Sequence, residues 1–349
     1  MMMNRRNAHI RSFSGLAALA AAAAVLSGCA RNYPMDTLST GSDLAVKIRS
    51  LYIQITVWDT IILAIVTGTL FGAIFWFSKR VGDPGEPSTT TSDIRLEVAW
   101  TAIPSLILAL IAVPTVRTII ATQPDAWPAN AVTIRVVAHQ WWWEFKYPQY
   151  GIDTADEVHM PLDREIHFEL QSADIIHSFW VPALGGKRDV VPGQLNEITM
   201  IPHQLGYFYG QCVEFCGSSH ANMRLRGIVD SQADFDKWVK NQQAAPVTTA
   251  AGPAAEGAKV WANAPCAICH AIKGVSGFSS QYTGGFKGPD LTHFGSRTTL
   301  AGGVLDNTPQ NVALWIQNPG AVKPGAMMPN LGIHGEDMTN LVAYLESLK

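Results

Sequence analysis

Three kinds of hydrophobic pattern follow one another along the chain. Arg5, Arg6 and Arg11 precede an Ala-rich apolar run over residues 16–26, which leads into Leu26-Ser27-Gly28-Cys29. The run is too short to cross ~30 Å of hydrocarbon comfortably as a helix. A basic, then apolar, then small-residue order is that of an export signal, and the closing Cys predicts lipid attachment at Cys29. Two longer apolar runs, residues 51–77 and 96–121, are each long enough to span a bilayer. Lys79, Arg80 and Arg95 sit between them, so that loop is expected on the cytoplasmic side and everything after residue 122 outside. Between residues 132 and 229 the pattern becomes short β-rich runs, such as 132–137 and 166–170, separated by Pro and Gly turns. This predicts an antiparallel sandwich or barrel. Residues 242–256, rich in Ala, Pro, Thr and Gly, predict a linker. The remainder reads as helical, with Met338, Leu341, Val342, Leu345 and Leu348 on one helical face. The expected organisation is a signal peptide (1–28), an N-terminal segment with two membrane helices (29–122), a β domain (123–241), a linker (242–256) and a helical domain (257–349).

Composition agrees with a chain partly in lipid: of 349 residues, 48% are hydrophobic and only 15% charged. A net charge of −3 gives no basis for a nucleic-acid partner. The five cysteines are an odd number, which argues against a simple disulfide framework. Each instead falls in a motif with its own chemistry.

The densest motif is Cys212-Val213-Glu214-Phe215-Cys216-Gly217-Ser218-Ser219-His220-Ala221-Asn222-Met223. Two thiols, an imidazole and a thioether fall within twelve residues, and His177 offers a further imidazole. Soft sulfur together with imidazole suits copper. Zinc would not require Met223, and a disulfide would require neither histidine nor methionine.

Residues 50–230 resemble subunit II of the haem–copper cytochrome c oxidases. The resemblance is carried by Glu97-x-x-Trp100-Thr101-x-x-Pro104, His139-Gln140-Trp141-Trp142-Trp143, His177-Ser178-Phe179-Trp180-Val181-Pro182 and the Cys212–Met223 segment. It implies a cupredoxin-like antiparallel β-barrel outside the membrane, anchored by a two-helix transmembrane hairpin and holding a dinuclear copper centre, CuA. It further implies that Cys212 and Cys216 bridge both coppers and that His177 and His220 bind one each. Met223 and the backbone carbonyl of Glu214 would be weak axial ligands. The Glu214 carboxylate would bind magnesium at the boundary with subunit I. Trp141 resembles the aromatic through which electrons enter the copper site; core or interfacial packing is its plainer role. Glu97 resembles the entrance of a proton pathway into subunit I; otherwise it is an acid favoured by the helix macrodipole.

Cys266-Ala267-Ile268-Cys269-His270 is a haem c attachment motif, with His270 as proximal iron ligand. The distal ligand is expected in Lys323-Pro324-Gly325-Ala326-Met327-Met328-Pro329. An axial methionine commonly precedes proline in class I cytochromes c, which selects Met328 over Met327. Gly288-Pro289-Asp290-Leu291 resembles the turn whose carbonyl steadies the proximal histidine, and Trp315 and Arg297 are candidates for the haem propionates. The domain reads as a small all-α cytochrome c. A linker of roughly fifteen residues would tether it at millimolar effective concentration.

The whole resembles subunit II of a caa-type oxidase with a fused cytochrome c, in the bacterial inner membrane. The implied partners are subunit I with its haem a, subunit III, membrane lipid, and cytochrome c or another external donor. A free-standing membrane electron carrier is the alternative, and Glu97 with its Trp-Thr-x-x-Pro context speaks against it.

Overall fold

The computed structural model describes residues 33–77, 92–123, 130–246, 251–276 and 287–349. The expected signal, Cys29, Lys79, Arg80 and residues 247–250 of the expected linker lie outside the described residues. Of the N-terminal unit Met1–Asp36 only a turn at residues 33–36 is described; every element below belongs to the unit Thr37–Lys349.

Helix α1 (Asp43–Phe77) and helix α2 (Ile94–Ala121) account for the two long apolar runs. At 1.5 Å per residue both exceed the hydrocarbon thickness of about 30 Å. Their side chains are exposed almost all round, as expected of helices that face lipid. Thr101 and Ser105 return their hydroxyls to carbonyls one turn back, which satisfies them without water. Asp93 caps α2 by accepting from the Arg95 amide. The start of α1 is built into the β domain. The Asp43 carboxylate accepts from the Ile201 amide at 2.7 Å, the Asp43 amide donates to the Ile201 carbonyl at 3.1 Å, and Leu44 is buried. Lys47 reaches the Ala121 carbonyl at 3.5 Å, so α2 ends beside the start of α1. The β domain therefore lies at the end of the hairpin where α1 begins and α2 ends.

Among the described residues that domain has ten strands: β1 (Val132–His139), β2 (Trp142–Tyr147), β3 (Ile152–Ala155), β4 (Glu157–Pro161), β5 (Ile166–Ser172), β6 (His177–Trp180), β7 (Arg188–Val190), β8 (Asn196–Met200), β9 (Gly206–Cys212) and β10 (Arg224–Asp230). They form two sheets, β3-β2-β1-β5-β8 and β4-β10-β9-β6-β7. Pairing is antiparallel except β1 with β5 and β4 with β10. Alternating inward residues fill the space between the sheets, with Ile134, Val136, Phe145, Phe168, Leu170 and Phe179 fully buried. Phe179 takes the edges of Trp143 and Phe145, with ring centroids 5.5 and 6.4 Å away. Helix α3 (Gln232–Gln243), capped by Ser231, adds Phe235 and Val239 to this core.

The C-terminal domain packs α4 (Pro253–Asn263) against the last helix, α7 (Gly335–Ser347), with α5 (Pro309–Gln317) and the short α6 (Pro319–Val322) beside them. A Cβ on Gly257 would fall on the Asn340 carbonyl, so the α4–α7 crossing requires glycine there. The predicted face of α7 does face the core: Leu341, Val342, Leu345 and Leu348 are buried, and Met338 packs against them. The helical pattern gives no sign of one further element, a hairpin of two-residue strands, β11 (Thr299–Leu300) and β12 (Leu305–Asp306).

Candidate functional site

The copper-motif donors gather at one end of the sandwich because β6 and β9 are neighbours. Their register places Phe179 opposite Cys212, so His177 at the start of β6 faces the thiol that ends β9. The chain then loops through residues 213–223, and the Cys212 amide donates to the Met223 carbonyl at 2.9 Å, closing the loop. Cys212 Sγ lies 3.7 Å from Cys216 Sγ and 3.8 Å from His177 Nδ1. Cys216 Sγ lies 3.5 Å from His220 Nδ1 and 3.9 Å from Met223 Sδ. The Glu214 carbonyl is 3.3 Å from Cys212 Sγ, while the Glu214 side chain is exposed. All six expected donors are thus brought together, with His177, Cys216 and Met223 fully buried.

A disulfide would hold the sulfurs near 2.05 Å; both thiols are free, and their 3.7 Å spacing suits bridging thiolates. The thioether and the carbonyl extend the set beyond what tetrahedral zinc uses, so the donor chemistry fits two coppers. The close contact with the Cys216 thiol, against the opposing effect of burial, holds the Cys212 thiol well below its ordinary range. The same contact pushes Cys216 up.

Two orienting contacts carry no sequence signal. The Asp174 carboxylate pairs with His177 Nε2 at 2.7 Å, which leaves Nδ1 turned to the sulfurs. Its other oxygen accepts from the Gln140 amide at 2.6 Å, anchoring the turn that carries Trp141. Trp141 Nε1 and Gln140 Nε2 each donate to the Cys216 carbonyl at 2.8 Å. Glu97 is not part of this assembly. It lies in the first turn of α2, half-buried, accepting from the Ser92 hydroxyl at 2.8 Å.

Cys266, Cys269 and His270 border a cavity of about 500 Å³ whose wall also includes Met328, Arg297, Trp315 and Trp141. His270 Nδ1 donates to the Pro289 carbonyl at 2.8 Å, leaving Nε2 free to bind a metal. Burial pushes His270 down, which favours the neutral imidazole. A Cβ on Gly288 would come within 2.6 Å of the His270 ring, so glycine lets this turn grip the imidazole. Met328 packs against the domain core, whereas Met327 is 45% exposed, although both reach the cavity. Arg297 Nε is buried without a partner among the described residues. An orphaned cationic donor at the wall of an apolar cavity suits a haem propionate. The residues therefore fit a covalently attached haem.

The two sites adjoin. Trp141 hydrogen-bonds the copper loop and also lines the haem cavity. The methionine loop lies on it: a Cβ at Gly325 would meet the indole at 2.9 Å, and Ser219 donates to the Pro324 carbonyl at 2.5 Å. Lys323 is buried, donating to the Trp141 and Ala301 carbonyls, and burial lowers its pKa to about 8. The Glu144 carboxylate pairs with Lys287, just before the Gly288-Pro289 turn. Burial opposes its ionisation, yet hydrogen bonds from His139 and Lys287 hold Glu144 well below the usual carboxylate range.

Comparison with known proteins agrees with this division. The family model for the transmembrane domain of cytochrome c oxidase subunit II matches residues 32–118. The model for its periplasmic domain matches residues 151–229, and that for cytochrome c matches residues 254–349. Cytochrome c oxidase subunit 2 of Alkalihalophilus pseudofirmus is 36% identical, over 84% of this chain and 87% of that one. The subunit of the same name from Bacillus sp. strain PS3 is 32% identical, over 99% of both. Among solved structures, the periplasmic domain of subunit II of cytochrome oxidase from Bradyrhizobium japonicum is 32% identical, with a TM-score of 0.32, over 33% of this chain and 96% of that one. This chain belongs to the cytochrome c oxidase subunit II family, as a member with two membrane helices, a cupredoxin-like domain and a C-terminal cytochrome c domain.

Proposed function

We propose that this membrane-anchored subunit receives electrons from an external donor at haem c, passes them through Trp141 to the copper centre, and delivers them to haem a in subunit I. Membership of the family implies the copper centre, haem c, a complex with subunit I and a cytochrome c donor. The observation that carries the route is the placement of Trp141, one side chain that bounds the haem cavity and hydrogen-bonds the copper loop.

Bound in these sites, haem c and the two coppers would each exchange single electrons. The protein's part is to hold the donors still. His177 and Cys212 sit on paired strands, Asp174 fixes the His177 ring, and Pro289 fixes His270. Ligands held by packed strands move little when charge changes, which favours fast transfer. In this reading Cys212, Cys216, His177, His220, Met223 and the Glu214 carbonyl would hold the two coppers. Cys266, Cys269, His270 and Met328 hold the haem.

The finer assignments extend the proposal. The exposed Glu214 carboxylate binds magnesium at the surface facing subunit I, beside Phe215, which is 77% exposed. Glu97 opens a proton path into subunit I. Lipid at Cys29 and contact with subunit III add to the anchoring, and the complex sits in the bacterial inner membrane with both redox domains on the periplasmic side. Oxygen reduction then belongs to subunit I, coupled to proton transfer. The alternative, an electron carrier without an oxidase partner, predicts purification without haem a. The test is one optical and EPR spectrum of the complex purified through this chain. Low-spin haem c, a mixed-valence copper signal and haem a together support the proposal; haem c and copper without haem a support the carrier.

A further inference from the structure

We propose that the hairpin Thr299–Asp306 is a docking finger that holds the cytochrome c domain in one fixed pose on the copper domain, with the Glu157 carboxylate as its socket. Glu157 opens β4, the edge strand of its sheet, where a carboxylate would ordinarily face water. It is instead 3% exposed, covered by the haem domain. One of its oxygens accepts from the Thr298 amide at 2.8 Å, the Thr298 hydroxyl at 2.6 Å, the Thr299 amide at 2.8 Å and the Thr299 hydroxyl at 3.0 Å. Burying a carboxylate is costly unless donors replace its water, and hydrogen bonds to an ionised acceptor are the strong kind. All four donors belong to Thr298 and Thr299 of the haem domain and converge on this one oxygen. A shifted pose that still covered Glu157 would leave a buried carboxylate unpaired, so the contact selects geometry as well as adding affinity.

The tip of the finger is shaped for the same surface. Ala301, Gly302 and Gly303 have φ values of +57°, +74° and +71°, a left-handed run that turns successive carbonyls outward. The Gly302 carbonyl accepts from the Arg224 amide, the first of β10, at 2.9 Å, and the Gly303 carbonyl from Arg226 Nη2 at 3.3 Å. A Cβ at Gly302 would lie 3.1 Å from both the Asn222 and Trp141 carbonyls, so the tip approaches the copper loop as closely as a glycine permits. The Lys323 ammonium ties the Ala301 carbonyl of the tip to the Trp141 carbonyl. The finger, the methionine loop and the electron-entry turn thus meet at one buried cation. Electrons would then pass within a fixed complex and not by collisions of a tethered domain.

The inference adds to the proposed electron route, but it is read out separately. Hydrogen exchange at the Thr298 and Thr299 amides, measured in the full-length oxidase complex, reports docking with no electron transferred. Both amides should be protected in the unmodified complex. Glu157→Ala should speed their exchange by about tenfold or more, while the Phe168 amide of the copper-domain core stays protected. Glu157→Gln, which keeps an acceptor oxygen, should fall between. Gly302→Ala leaves Glu157 intact but strains the tip, and should act in the same direction as Glu157→Ala. Free exchange of Thr298 and Thr299 in the unmodified complex, or unchanged protection in both Glu157→Ala and Gly302→Ala, would overturn the proposal. Loss of the Trp141 route by another experiment would leave the exchange result standing.

Discussion

The indole nitrogen of Trp141 donates to the carbonyl of Cys216 at 2.8 Å, while the same ring bounds the cavity that holds Cys266, Cys269 and His270. A copper loop 75 residues from Trp141 and a haem pocket still further along the chain are thereby joined by one side chain.

Replacing Trp141 by Phe keeps a ring against the cavity and removes the donor to Cys216. Electron transfer from haem c to copper should slow by about tenfold, equivalent to about 1.4 kcal/mol of barrier. Flash reduction of haem c followed at the copper band measures it. An unchanged rate with an intact copper signal would remove Trp141 from the route.

Cys216 touches Cys212, His220 and Met223 at once. Cys216→Ser should therefore abolish the mixed-valence copper signal. Haem c, whose thiols and His270 lie in the other domain, should keep its spectrum. A normal two-copper EPR spectrum in this variant would refute the ligand assignment.

Met328 and Met327 both reach the haem cavity, but only Met328 packs into the domain core. Loss of the thioether ligand in Met328→Ala should lower the haem potential, since methionine ligation favours reduced iron. Redox titration of both variants decides between them. A drop confined to Met327→Ala would assign the ligand to Met327.

The parts of this architecture that were legible in the sequence are those written locally. The haem motif is five contiguous residues, and five of the six expected copper donors share one twelve-residue loop. The membrane helices announce themselves by length, and the sandwich by its short β-rich runs. Contacts between distant segments were not legible. Glu157 reads as one acid in a strand, and its partners lie 141 and 142 residues away. Lys323 reads as a loop lysine, and its partner Trp141 is 182 residues distant. Strands of two residues, as in β11 and β12, are too short to leave a periodic signal. A linker composition suggests free tethering, because composition records the chain's flexibility and not the surfaces it joins.

Glu97 stands apart from both redox sites, in the first turn of α2. Glu97→Ala should slow steady-state turnover of the oxidase while leaving haem c to copper transfer unchanged. Turnover and single-electron kinetics on one preparation separate the two. Unchanged turnover across pH would count against a proton entrance there.

The order in which the centres fill tests the account most directly. The full-length oxidase is mixed in a stopped-flow instrument with a limiting amount of its reduced donor, and the haem c, copper and haem a bands are followed together. Haem c should be reduced first, with copper and then haem a following as haem c reoxidises. Reduction of copper before haem c would mean that the donor bypasses the cytochrome domain, and would contradict the proposed route.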